Sequence, residues 1–318
     1  MCIAPITINV QPGKYGPFRS IQVPCGKCQI CRSKYQNSWT IRIVEELKVH
    51  KYTTFFTLTY RPENVPYTCN RSTGEAYMSV CKKHIQDWLK RFRTRYYRNY
   101  GKKLDFKYFI CSELGPRTLR PHYHGLFFGL SLDDCRLALD DWCKTFGYIT
   151  ARPVNNRNLK EMLNSGRYVG KYCSKGQFET PLIQQGKTLP MFRLISKGLG
   201  LSYVEKQSKY HLSSTKTGDR IGDICRKSFY FLNDNKYALP RYYKDKIYGQ
   251  QSLLRTKIAN YLLAVNDELY REKLRELSAT MSENEAVNYL VRQENDVLRN
   301  RHAELTQRYS SFLNKSKI

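Results

Sequence analysis

Two histidines one residue apart, His122 and His124, open the apolar run PHYHGLFF. In an extended chain residues i and i+2 leave the backbone on the same side, so both imidazoles face one way and Tyr123 faces the other. Such a pair is either a hydrogen-bonded core pair or part of a metal site. The extended stretch before it, KYFICSEL, carries Glu113 near its end, and the intervening GPRTLRP is short enough for a hairpin. Folding back would set the Glu113 carboxylate beside both imidazoles. Two imidazoles and a carboxylate with open positions suit a hard or borderline divalent ion, Mg²⁺ or Mn²⁺. Such an ion polarises a phosphoryl oxygen and orients a phosphodiester for attack.

A nucleophile for that attack is offered by RYVGKYCSK. Tyr168 and Tyr172 are four residues apart, one above the other on a helix face, where both could address a single phosphate. Lys171 and Lys175 each follow a tyrosine by three positions. An adjacent ammonium binds phosphate oxygens and favours a phenolate, whose ordinary pKa is about 10. In a chain with 25 tyrosines the same pair also fits an aromatic helix face docked on a sheet.

The cysteines form a third group. PCGKCQIC holds Cys25, Cys28 and Cys31 with two-residue gaps that let neighbouring thiolates reach one tetrahedral ion, and Cys2 is a candidate fourth ligand. The expected occupant is structural Zn²⁺. Three unligated thiols are the plain alternative. An iron–sulfur cluster ranks lower, because nothing else in the chain implies electron transfer. The N-terminal residues lack a charged segment followed by a long apolar one, so no secretory signal is expected, and eleven cysteines then read as reduced thiols in a cytoplasm.

The elements that must position these groups follow from periodicity. Trp39, Ile43 and Leu47 suit an amphipathic helix, and YTTFFTLTY ending at RPENVP suits a buried strand. Ile85, Trp88, Leu89, Phe92 and Tyr96 line one face of a second helix, with Lys90, Arg91, Arg93, Arg95 and Arg98 over much of the remainder. That basic face is either simply solvated or a surface that tracks phosphates. Ser131 to Phe146 and Leu159 to Ser174 read as helices around an extended piece, Gly147 to Pro153. The stretch from Gly176 to about Pro240 has no clear period. Beyond Gly249 there is neither Gly nor Pro, and SENE from Ser282 has capping-box form, so two or three helices end the chain. The class is α+β.

Charge narrows the partner. The net charge is +27, and residues 251–318 hold 11 basic and 9 acidic side chains, so residues 1–250 carry +25. That excess points to a polyanion, nucleic acid above all. No run approaches the roughly 18 apolar residues of a membrane span, so no membrane partner is expected.

FTLTY, a Glu-containing strand, PHYHGLFF and YVGKYCSK resemble, in order and spacing, the three motifs of HUH rolling-circle replication initiators. With MCIAPIT and VPCGKCQIC the resemblance is closer to the replication-associated proteins of gokushoviruses, phages of the microvirus family. It covers about residues 1–205. It implies an antiparallel sheet flanked by helices, the HUH palm, with an α-helical C-terminal region. It also implies nicking of the viral origin through a tyrosine, a covalent 5′ phosphate link, a 3′-OH primer, and later rejoining of ends. The organisation expected is an N-terminal segment with the cysteine cluster and a helix at 1–50, an endonuclease core at 51–205, a basic connection at 206–250 and a helical tail at 251–318. The helicase of larger initiators needs a phosphate-binding loop, but QQGKT has Pro181 where the first Gly belongs. Supercoiling or a host helicase must then part the strands, with a host polymerase extending the primer in the host cytoplasm. Two other readings stand beside this one: a non-catalytic basic DNA-binding protein containing zinc, and a transposase or relaxase of the same superfamily.

Overall fold

The structure, a computed structural model, describes residues 2–11, 19–70, 73–115, 118–172, 181–214, 218–232, 235–249 and 253–315. In chain order the elements are β1 (Ile6–Val10), β2 (Arg19–Val23), α1 (Gln29–Leu47), β3 (Thr53–Tyr60), β4 (Tyr67–Cys69), β5 (Ala76–Met78), α2 (Lys82–Tyr100), β6 (Lys107–Leu114) and β7 (Pro121–Phe128). They continue as α3 (Arg136–Thr145), β8 (Gly147–Pro153), α4 (Leu159–Tyr172), α5 (Pro181–Gln184), β9 (Arg193–Ile195) and α6 (Leu201–Leu212). The rest are α7 (Arg220–Arg226), β10 (Phe229–Leu232), β11 (Asn235–Ala238), α8 (Arg241–Ile247), α9 (Leu253–Ser278) and α10 (Glu283–Lys315).

The chain forms two compact units, Gln36–Tyr203 and the pairing of Met1–Tyr35 with Val204–Ile318. The first is built on a five-stranded sheet of order β8-β3-β7-β6-β9 in which every neighbour is antiparallel. Period-two alternation divides its side chains between two cores. Phe56, Leu58, Tyr60, Ile110, Leu114, Tyr123 and Phe127 pack with Ile85, Trp88, Leu89 and Phe92 of α2 and with Ala138 and Trp142 of α3. Phe55, Phe109, Cys111, Leu126 and Phe128 face the other way, onto Ile43 and Leu47 of α1 and Met162, Val169 and Tyr172 of α4. The expected helix faces of α1 and α2 are therefore the buried ones. Gly125, at the centre of β7, is there for space: a Cβ would stand 2.3 Å from the Phe56 ring.

In the second unit β1 pairs with β2 and β10 with β11, each as an antiparallel hairpin. The tail is two helices, α9 and α10. Ser282 begins the latter with the expected capping box: its Oγ accepts the Glu285 N–H, and the Glu285 carboxylate accepts the Ser282 N–H at 3.0 Å. One boundary moves. The helix expected from Ser131 starts only at Arg136, because the Asp134 carboxylate takes the Ser131 N–H (2.9 Å) and hydroxyl (2.6 Å) in a preceding turn. The class read from the residues stands: an antiparallel sheet flanked by helices, with helices at the C-terminal end.

Candidate active site

The β6–β7 hairpin forms as its spacing requires, with Glu113 opposite His122 and Cys111 opposite His124. On the other side β3 sets Thr59 opposite His122 and Thr57 opposite His124. Directly paired residues share a face, so Glu113, His122, His124, Thr57 and Thr59 form one polar patch on the sheet surface that α4 covers. The Glu113 carboxylate lies 3.1 Å from His124 Nε2. His122 and His124 are parallel, ring centroids 6.5 Å apart.

Hydrogen bonds fix the ring states. His122 Nδ1 donates to the Arg120 carbonyl at 2.7 Å, which leaves Nε2 with its lone pair. Burial holds the His122 pKa below the ordinary value against that carbonyl's pull, so the ring is neutral. His124 Nε2–H donates to Glu113, and its Nδ1, 3.0 Å from Thr57 Oγ1, accepts from that hydroxyl. A hydroxyl can also accept, so Thr57 serves either tautomer and Nε2 can be freed for ligation.

This donor set fits a hard or borderline divalent ion. Thr59 Oγ1, opposite His122, is buried with no hydrogen-bond partner among the described residues. The three side chains do not yet converge. Among the described residues, the one set of three or more His, Cys, Asp or Glu ligand atoms lying within 4.8 Å of each other is the cysteine group Cys2, Cys25, Cys28 and Cys31. An Mg²⁺ ion, with ligand distances of about 2.1 Å, would require Glu113 to turn off His124.

Helix α4 lays both tyrosines against this patch. It approaches α1 closely because residues 166 and 170 are glycines. A Cβ at Gly170 would stand 3.0 Å from Thr40 Oγ1, and one at Gly166 would stand 3.4 Å from the Thr40 carbonyl. Tyr172 stacks on His124 with centroids 4.3 Å apart, and Tyr168 meets the same ring edge-on at 5.5 Å. The two tyrosines are 5.2 Å apart, and Lys171 Nζ lies 4.6 Å from one ring and 4.9 Å from the other.

They are not equivalent. Tyr168 is 38% exposed, Tyr172 only 7%. Burial raises both phenols, Tyr172 far more, with Glu113 and Tyr168 adding to its rise. The hydroxyl bond between them lowers Tyr168 and raises Tyr172, so Tyr172 donates and Tyr168 accepts. Lys175 lies outside the described residues.

The basic face of α2 lies across the sheet from this site, because α2 packs on the Phe56 and Tyr123 side. Lys90, Arg91, Arg95 and Arg98 line a shallow hollow with Asp87 and Thr94. Arg91 and Arg95 share the buried Asp141 carboxylate at 2.8 and 2.6 Å. Arg93 turns away, over the Phe106 ring at 4.9 Å. Two residues near the tyrosines escaped sequence reasoning. Thr57 was visible only as one threonine in FTLTY. Arg152 of β8 lies over Phe55 at 5.2 Å, against the ring that meets Tyr168, and its charge eases ionisation of Tyr168.

Residues 53–177, which hold every one of these polar groups and both tyrosines, match the model of a family described as replication-associated protein ORF2. The chain carries a replication-associated protein domain. Among curated relatives, the replication-associated protein ORF2 of Spiroplasma virus 4 is 30% identical over 191 residues, covering 57% of this chain and 56% of that protein. The replication-associated protein VP4 of Bdellovibrio phage phiMH2K is 25% identical over 237 residues, 71% of this chain and 67% of that protein. The chain thus spans little more than half the length of the first of these. No solved structure matches. The family resemblance drawn from the motifs stands, and the replication-associated domain is the segment that carries the His–Glu patch and the tyrosine helix. None of the described helices is long and apolar enough to cross a membrane.

Proposed function

We propose that this protein initiates rolling-circle replication of a phage genome by nicking single-stranded origin DNA through Tyr168, with Tyr172 as the second nucleophile. The observation that carries the reading is the stacking of a two-tyrosine helix face directly on His124, itself bonded to Glu113. His122, His124 and Glu113 would hold Mg²⁺ or Mn²⁺, which when bound polarises a phosphoryl oxygen of the scissile phosphate. Tyr168 acts first because its hydroxyl is reachable from solvent and accepts a bond from Tyr172, which stabilises its phenolate. Its Oη attacks phosphorus, an Oη–P bond forms and the P–O3′ bond breaks. The phenol proton passes to solvent, and solvent returns one to the leaving 3′-oxygen. Lys171 binds the phosphate oxygens and Arg152 adds positive charge on the Tyr168 side. Joining reverses the step: a free 3′-OH attacks the phosphotyrosine and Oη leaves.

Lys90 and Arg98 on α2 track DNA phosphates away from the reacting bond. A host helicase or supercoiling opens the duplex, and a host polymerase extends the 3′-OH. The test is covalent capture on denaturing gels, with single-stranded oligonucleotides or supercoiled phage-like DNA, Mn²⁺ or Mg²⁺, and chelator. A heat-stable adduct that needs the ion and vanishes in the Tyr168→Phe, Tyr172→Phe double variant is expected. Binding without any adduct would leave a non-catalytic DNA-binding protein.

A further inference from the structure

Outside the tyrosine site, the strongest unassigned chemistry is at the N-terminal end of the second unit. We infer that Cys2, Cys25, Cys28 and Cys31 bind one Zn²⁺ as a structural tetrathiolate centre, independent of the nicking reading.

All four sulfurs lie within 4.8 Å of one another. Cys2 Sγ is 3.4 Å from Cys25 Sγ and 3.7 Å from Cys28 Sγ. A tetrahedron of Zn–S bonds of about 2.3 Å sets its sulfurs about 3.8 Å apart, so the spacing is that of a single mononuclear ion. A disulfide needs about 2.05 Å, and all four thiols are free. A multi-iron cluster seats each cysteine on a different iron around bridging sulfides and needs a wider cage.

The backbone is shaped for the same purpose. Gly26 has φ +72°, which turns the chain between Cys25 and Cys28. Within that turn the Cys25 N–H points at Cys2 Sγ and the Cys28 N–H at Cys25 Sγ, both at 3.3 Å, donors that stabilise thiolate charge. The Cys28 carbonyl accepts the Arg32 N–H at 3.0 Å, so Cys28 and Cys31 stand at the N-terminal end of α1, where the helix dipole favours anions.

Packing does not explain why residue 2 meets residue 25. The β1–β2 hairpin joining them leaves Ile6, Ile8 and Ile21 exposed, and an isolated two-stranded hairpin is marginal in water. The ion supplies what an apolar core would have supplied, fastening the hairpin to the start of α1. Binding exchanges the four thiol protons, released to solvent, for four Zn–S bonds.

The test is elemental analysis of the full-length protein, purified without added metal and passed over a weak chelator. One zinc per chain is expected, retained in a His122→Ala, His124→Ala double variant and lost from Cys28→Ser. Cobalt exchanged into the wild-type protein should give the intense visible bands of a tetrahedral thiolate site, absent from Cys25→Ser. Because the count is made on wild-type protein, misfolding of the serine variants does not blur the result. A metal-free protein whose four thiols react at once with a disulfide reagent would overturn the assignment. So would a brown protein holding several irons and acid-labile sulfide. Loss of nicking alone leaves it standing.

Discussion

Replacing Thr57 by Val keeps the shape of the side chain and removes only the hydroxyl facing His124 Nδ1. His124 is buried, so its Nδ1 is left without a donor, and an unsatisfied buried acceptor costs about 1–3 kcal/mol. The added methyl is partly buried and offsets a fraction of this, which leaves a net loss of roughly 1–2 kcal/mol. For a unit of this size that lowers Tm by about 2–8 °C. The effect on the ion should be larger than the effect on the fold, since removing the partner that orients a ligating histidine weakens metal binding about 10–100-fold. The assay is adduct formation against Mn²⁺ concentration at saturating oligonucleotide, with calorimetric melting in chelator alongside. Thr57→Val should shift the Mn²⁺ midpoint upward by that factor, Thr57→Ser should restore it, and oligonucleotide affinity in chelator should stay unchanged. If Thr57→Val melts like wild type and shows the same Mn²⁺ midpoint, the hydroxyl does not orient His124 and the reasoning fails.

Four further outcomes follow from the geometry. Tyr168→Phe should abolish the first cleavage, whereas Tyr172→Phe should leave first adducts while blocking release of joined circles; gel analysis of single- and multiple-turnover products checks both. Lys90→Ala with Arg98→Ala should weaken single-stranded DNA binding and flatten its salt slope by about 1.4, at about 0.7 per phosphate contact, with adduct yield at saturating DNA unchanged. Gly125→Ala should cost about 1–3 kcal/mol or more by overpacking against Phe56, and adding Phe56→Leu should make the double variant less destabilised than the sum of the singles in urea unfolding. Buried Glu46 resists the upward pull of burial by accepting from His50, Gly200 and Lys107, and its pKa falls below the ordinary 4.5. Its contribution to stability is therefore complete above pH 4.5 and disappears as pH falls through the lowered folded value. Glu46→Gln should flatten that acid limb of Tm against pH.

Much of the candidate site was legible because it rests on local geometry. A strand repeats every two residues and a helix every 3.6, so His122 with His124 and Tyr168 with Tyr172 had to share faces wherever those elements went. A turn of six residues brought Glu113 back beside the histidines for the same reason. Cys25, Cys28 and Cys31 were grouped by their spacing alone. What no local period contains is which face meets which helix. That α4 covers the histidine face while α2 covers the opposite one followed from the match of two apolar surfaces formed by residues far apart in sequence. This placed the α2 arginines across the sheet from the tyrosines. It also gave Arg91 and Arg95 a shared buried carboxylate fifty residues on, which charge counting along one helix could not reveal. The exposure difference between Tyr168 and Tyr172, and the hydroxyl of Thr57 beside His124, arose the same way. Periodicity settled which side chains travel together. Long-range packing alone decided what they would meet, because that choice depends on contacts whose loop-closure cost only the assembled core repays.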